Sequence, residues 1–99
     1  MEIIKAMSVD AATNWKGPPI DWVYIDADHS YGACYSDLVA WARLISPGGC
    51  IMGHDYAEGG HGVLYGVIPA VRDFCEKHRW ELTTLSDENP PSFCIERRR

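Results

Sequence analysis

The alternation of apolar and polar positions changes period several times along the chain, and each change predicts an element. From Ile20 to Tyr24 the residues are mostly β-branched or aromatic, and the run then breaks into Asp26, Asp28, His29 and Ser30. That is how a strand over 21–26 reads when it is buried on both faces and delivers polar groups at its carboxyl end. The same logic returns at Cys50-Ile51-Met52-Gly53-His54-Asp55-Tyr56, which predicts a second strand over 50–53. Between the two, Cys34, Leu38, Trp41 and Ile45 recur at helical spacing with Val39 and Ala42 beside them. This predicts a helix over 31–45 that starts at a Ser30 cap and leaves Asp37 and Arg43 off the inward stripe. Ser46-Pro47-Gly48-Gly49 stops that helix and turns the chain.

Upstream, residues 2–7 lean apolar and read as a strand or the end of one. Ser8 is placed to cap a helix, with Val9, Ala12 and Trp15 facing inward, until Lys16-Gly17-Pro18-Pro19 ends it. Downstream, residues 56–66 hold Gly59, Gly60, Gly62 and Gly66, too many glycines for a packed element, so a mobile loop over the strand ends is expected. A helix over 66–78 follows, with Pro69 in its first turn and Val67, Val71, Phe74 and Cys75 inward. Strands over 80–85 and 93–96 flank a turn at Asn89-Pro90-Pro91 and close a hairpin. The order is αβαβαββ. A strand-helix-strand unit with a helix of this length implies a parallel pair with a right-handed crossover, and the last two strands an antiparallel edge.

Composition narrows the class. The chain has 99 residues, enough for one small domain, and at 46% hydrophobic and 23% charged it is globular in character. Its net charge of −5 disfavours nucleic acid, whose affinity comes from cations on phosphates, and the terminal Arg97-Arg98-Arg99 reads as a solvated tail. Cys34, Cys50, Cys75 and Cys94 form no C-x-x-C pair, and no apolar leader precedes them, so free thiols in a reducing cytoplasm are expected. No apolar run approaches the roughly 20 residues that span a bilayer, so no membrane partner is expected.

The chemistry concentrates where the two strands end. Parallel neighbours lie about 4.8 Å apart, so Asp26 and Asp55 would come close together. Two such carboxylates need a shared proton, a cation or hydrogen bonds. A divalent ion held by Asp26, Asp55 and His54 or Asp28 is one solution, with an imidazole tilting the choice from magnesium towards manganese, iron or zinc. The other is that Asp28, Ser30 and Asp55 merely cap the elements that follow. His29 has the right chemistry for a general base near neutral pH. His61 is expected in solvent, and His78 as a cation at a helix C-terminus.

Taken together, Val23-Tyr24-Ile25-Asp26-Ala27-Asp28-His29-Ser30-Tyr31, a helix, Ser46-Pro47-Gly48-Gly49, Ile51-Met52-Gly53-His54-Asp55-Tyr56, and Gly66-Val67 opening a helix resemble the class I S-adenosylmethionine-dependent methyltransferases, in the branch that methylates oxygens of small molecules. The resemblance implies an α/β fold: part of a Rossmann-like sheet, two parallel strands plus a C-terminal antiparallel hairpin, flanked by helices. It implies a cofactor site at Asp26, Ala27, Asp28 and His29, a magnesium or manganese ion on Asp26, His54 and Asp55, and substrate contacts from Tyr31 and Tyr56. His29, Asp26 and Asp55 would then carry the chemistry, in which a substrate hydroxyl loses its proton and its oxygen attacks the sulfonium methyl group.

The glycine-rich turn after the family's first strand has no counterpart, since Gly59-Gly60-His61-Gly62 follows the wrong strand. Residues 1–99 therefore correspond to a single half domain without the N-terminal cofactor-binding half. Such a half domain is expected to be inactive alone, and to homodimerise through the strand edge exposed at residues 21–26. A homodimer that binds a metal or small ligand, and a fragment with no retained catalysis, are the competing functions.

Overall fold

The computed structural model describes residues 3–6, 12, 15–25, 30–54, 56–57, 59–60, 63–64, 66–87 and 91–98. Its main sheet is built from β1 (Ile3–Ala6), β2 (Ile20–Ile25), β3 (Ile45–Gly53), β7 (Phe93–Arg97) and β6 (Trp80–Leu85), in that spatial order. β1, β2 and β3 run parallel, and β7 is antiparallel to both β3 and β6. Helices α1 (Tyr31–Ala42) and α2 (Val67–His78) pack against each other and close the core. The partial Rossmann-like sheet with its C-terminal hairpin is therefore present, with three parallel strands rather than two.

The third strand corrects one expectation. β1 pairs with β2 from Ile3 beside Trp22 to Ala6 beside Ile25, so residues 22–25 have a strand partner on each side and offer no open edge. Over residues 22–25, the edge along which a dimer contact was expected is occupied by β1.

Ser30 caps α1 as expected, its Oγ accepting from the Ala33 amide at 3.3 Å. The helix ends at Ala42, not 45. Leu44 and Ile45 leave it to meet β2: the Ile20 amide donates to the Leu44 carbonyl at 2.8 Å, and Ile45 stands opposite Ile20. β3 thus begins before the Ser-Pro-Gly-Gly turn and absorbs it as a bulge. Between Ile20 and Trp22 on β2 lies one residue, while Ile45 and Cys50 on β3 are separated by Ser46, Pro47, Gly48 and Gly49. Gly48 makes the excursion possible with φ at 83°. Ser46 Oγ ties it down by donating to Asp21 Oδ1 at 2.6 Å.

Arg97 holds the same corner from the other side. Its guanidinium donates to the carbonyls of Ala42 (2.8 Å), Ile45 (2.9 Å) and Ser46 (3.2 Å) and lies 4.9 Å from the centre of the Trp80 ring. The solvated-tail reading therefore fails for Arg97, which belongs to β7, and for Arg98, whose Nε donates to the Trp80 carbonyl. The glycine-rich segment also differs from the expected loop: β4 (Gly59–Gly60) and β5 (Val63–Leu64) pair antiparallel, two residues apart, the shortest common hairpin spacing.

The core collects alternate positions of the sheet, among them Val23, Ile25, Ile51, Phe93 and Ile95, with Leu38 and Trp41 of α1 and Val71 and Phe74 of α2. Ala12 is buried in it and Trp15 packs on it, edge-on to Trp41 at 6.4 Å. Val39, expected beside the stripe, is exposed, whereas Asp37, expected outside it, is only 5% exposed. Burial raises the Asp37 carboxyl above its usual value. The intervening sheet positions Trp22, Tyr24, Met52 and Cys94 are half-buried and stand outside the core, so β2 is not buried on both faces.

Candidate functional site

The site rests on one register. Ile25, the last residue of β2, is paired in parallel with Gly53, the last residue of β3. The two strands stop level; in sequence Asp26 follows the one, and His54 and Asp55 follow the other. Gly53 fits here because a Cβ would meet the Phe93 ring. Asp26, Ala27, Asp28, His29, Asp55 and His61 lie outside the described residues. His54 is half-buried and interacts within the chain. Among the described residues no group of three or more His, Cys, Asp or Glu side chains could hold a metal ion. His54 is the one described member of the expected ligand set, so these residues do not build a metal centre by themselves.

Both chains leaving the strand ends return as helices, and the helices start together. Gly66 caps α2 without a side-chain bond, and a Cβ on it would run into the backbone of Tyr31, the first residue of α1. Two helix N-termini in contact aim their positive dipole ends at the same rim of the sheet, an arrangement that favours negative charge there. Sequence reasoning gave Gly66 only as a helix opener. Its tight approach to Tyr31 depends on a partner 35 residues away, and no local signal reports that.

Tyr31 and Tyr56, expected to share a substrate, face different hollows. Tyr31 is 42% exposed, and its phenol donates to Asp73 Oδ2 at 2.6 Å. That hydrogen bond, with burial and the Asp73 charge, holds the phenol above its ordinary pKa. Tyr31 stacks on Tyr35 at 5.8 Å, and the two line a cleft of about 560 Å³ with Asp73, Glu76 and Lys77. Tyr56 lies on the other side of α2, in a cavity of about 370 Å³ shared with Val71, Arg72, Cys75 and Trp80. Its amide donates to the Pro91 carbonyl at 2.9 Å, its ring lies 5.8 Å from Phe93, and burial pushes its phenol up. His78, the last residue of α2, stacks on Phe74 at 4.8 Å, with its Nε2 3.5 Å from the Tyr35 hydroxyl.

The sequence profile of a known family, described as a methyltransferase domain, matches residues 1–56, the stretch that carries β1, β2, α1, β3 and both strand ends. The chain belongs to the methyltransferase domain family. Solved structures agree on the fold. An O-methyltransferase from Bacillus cereus, solved in complex with SAH, superposes with a TM-score of 0.57 over 88% of this chain at 21% identity. Cofactor-bound Rv0187 from MTB gives 0.60 over 88% at 19% identity. In each case this methyltransferase domain spans 44% of the solved chain. Among curated proteins, none matches. No described helix is long and apolar enough to cross a membrane.

Proposed function

We propose that the chain is the strand-end half of an S-adenosylmethionine-dependent O-methyltransferase of small molecules, able to contact the cofactor but unable to transfer a methyl group alone. The observation that supports the reading is the level ending of β2 and β3 at Ile25 and Gly53, each followed in sequence within two residues by an acid, Asp26 and Asp55. Ligands of open α/β sheets bind at that rim. Asp26, Ala27, Asp28 and His29 are the residues we assign to the cofactor. The cofactor supplies an electrophilic methyl group on a sulfonium sulfur. His29 would take the proton from a substrate hydroxyl, freeing the oxygen to attack that carbon as its bond to sulfur breaks and the sulfur leaves with the electron pair as SAH, with Asp26 and Asp55 fixing the geometry. A magnesium or manganese ion on Asp26, His54 and Asp55 is a refinement of the same reading, and no step here depends on it.

Inactivity in isolation is supported by the missing glycine-rich turn and by the 44% span of the solved relatives. A cytoplasmic location fits the four free thiols. Calorimetry tests the reading with S-adenosylmethionine and SAH, each with and without magnesium. We expect weak binding heat that Asp26→Ala removes, and no methyl transfer to small phenols. Absence of heat under every condition would overturn the cofactor assignment. Heat unchanged in Asp26→Ala would overturn its location. A manganese titration giving equal signals for wild type and Asp55→Ala would remove the metal.

A further inference from the structure

The two helices that start together also end together, at the opposite end of the sheet from Ile25 and Gly53. Each has 12 residues, a rise of about 18 Å, and β6 begins and β7 finishes beside their last turns, at Trp80 and Arg97. Between these ends lies a hollow of about 370 Å³. Its floor is apolar and aromatic, with Ala42, Phe74 and Trp80 buried there. Arg43, His78 and Arg97 also line it, and no Asp or Glu does. That is a concentration of basic groups in a chain whose net charge is −5. Service to the helix ends accounts for part of it. The bonds to described residues take three of the five N–H groups of Arg97, on the carbonyls of Ala42, Ile45 and Ser46, and one of the five of Arg43, on the Ala12 carbonyl at 3.1 Å. Those acceptors are neutral carbonyls, so the bonds leave both charges uncompensated.

We propose that this hollow binds a small aromatic carboxylate, its ring on Phe74 and Trp80 and its charge between the guanidiniums of Arg43 and Arg97. The charge count selects a monoanion. Two guanidiniums supply +2, the C-termini of α1 and α2 each act as roughly −0.5, and with His78 neutral about +1 remains. One carboxylate balances that, and a phosphate dianion overshoots it. A guanidinium takes a carboxylate through two parallel N–H bonds. The floor selects a ring. Phe74 lies 4.8 Å from the His78 ring and 5.7 Å from the Trp80 ring, so three aromatic side chains converge on the same space. Val39, 39% exposed on α1, adds apolar surface that a bound ring covers. The volume sits at the lower end of ligand pockets, roughly 300–1,000 Å³, which suits an acid with one ring. The site is about the length of a helix away from the strand ends, and it does not depend on whether the chain binds S-adenosylmethionine.

Titration of the full 99-residue chain with benzoate, followed by the indole N–H signals of its four tryptophans in proton–nitrogen NMR, tests the proposal. We expect the Trp80 signal to move saturably, with a dissociation constant on the order of 1 mM for so small a ligand, while that of Trp22, outside the core on β2, stays in place. Benzamide, the neutral counterpart, and inorganic phosphate should each bind at least tenfold more weakly. Arg43→Ala should weaken benzoate at least tenfold. Arg72→Ala, which removes the same charge from an exposed position of α2 outside the hollow, should leave it unchanged. Should Arg43→Ala fail to fold, Val39→Glu sets a carboxylate beside the site at an exposed helix position and should weaken benzoate by as much. A Trp80 signal that does not move, benzamide as tight as benzoate, equal losses in Arg43→Ala and Arg72→Ala, or unchanged affinity in Val39→Glu would each overturn the proposal. Inorganic phosphate binding more tightly than benzoate would overturn the choice of a carboxylate.

Discussion

Replacing Arg97 with alanine should cost more stability than its place in a terminal arginine run suggests. Its guanidinium serves three carbonyls at once: Ala42 at the end of α1, and Ile45 and Ser46 where β3 departs. Hydrogen bonds from a charged donor contribute about 1.5–3 kcal/mol each when well buried. These three share two nitrogens of a half-exposed group, so about 2 kcal/mol for the set is the appropriate scale. A cation at a helix C-terminus adds about 0.3–1 kcal/mol. The Trp80 ring adds about 0.5 kcal/mol at a half-exposed site. The sum is about 3 kcal/mol, which for a domain of this size lowers Tm by roughly 12–24 °C. Urea unfolding followed by tryptophan emission measures it, because Trp80 lies under the guanidinium. Arg97→Lys keeps the charge but not the planar fork and should recover less than half. If Arg97→Ala unfolds within about 0.5 kcal/mol of wild type, the scale of an ordinary surface substitution, the corner is held by the bulge itself and the reasoning is wrong.

Gly66→Ala should destabilise by about 1–3 kcal/mol or more, because its Cβ meets the Tyr31 backbone rather than a side chain that could swing away. Gly32→Ala, with open space around its Cβ, is the control for the same melting measurement. Asp37→Asn should stabilise the chain increasingly as pH rises. Burial raises the folded-state pKa of Asp37 above its ordinary 3.8, so the stability of the protonated form is lost as pH climbs through that raised value. A difference between Asn and wild type that stays flat from pH 4 to 8 would contradict this. Burial pushes Cys34 and Cys50 up to about 12 and Cys75 up to about 11. In dilute native protein at pH 8, iodoacetamide should therefore modify Cys94 first, and all four thiols together only in urea.

What the sequence made legible and what it hid divide along a physical line. The apolar runs that break into polar residues at Asp26 and at His54-Asp55 were readable, because a strand's period and its sudden end are local properties. The parallel direction of the two strands was legible from the strand-helix-strand order, whereas the level pairing of Ile25 with Gly53 is a finding of the structure. Ser30 was readable as a cap for the same local reason. Asp37 was not. Its place on the helix is set by 3.6-residue geometry, but its burial is set by packing from outside the helix. A stripe drawn from one helix alone cannot show that its margin is covered from the side.

Arg97 was hidden for a related reason. An arginine run at a terminus looks solvated until the carbonyls that a helix end and a bulge leave unpaired are placed beside it, and those come from residues 42–46. The same point bears on the functional reading. The strand-end chemistry is encoded locally, so it stays recognisable in a chain that spans 44% of its solved relatives. The surfaces that complete a catalytic pocket come from parts of a fold distant in sequence, and no local pattern reports them. A chain can therefore carry a family's local pattern without that pattern deciding its activity. Binding of the cofactor and transfer of its methyl group are, for this chain, separate measurements with separate expected results.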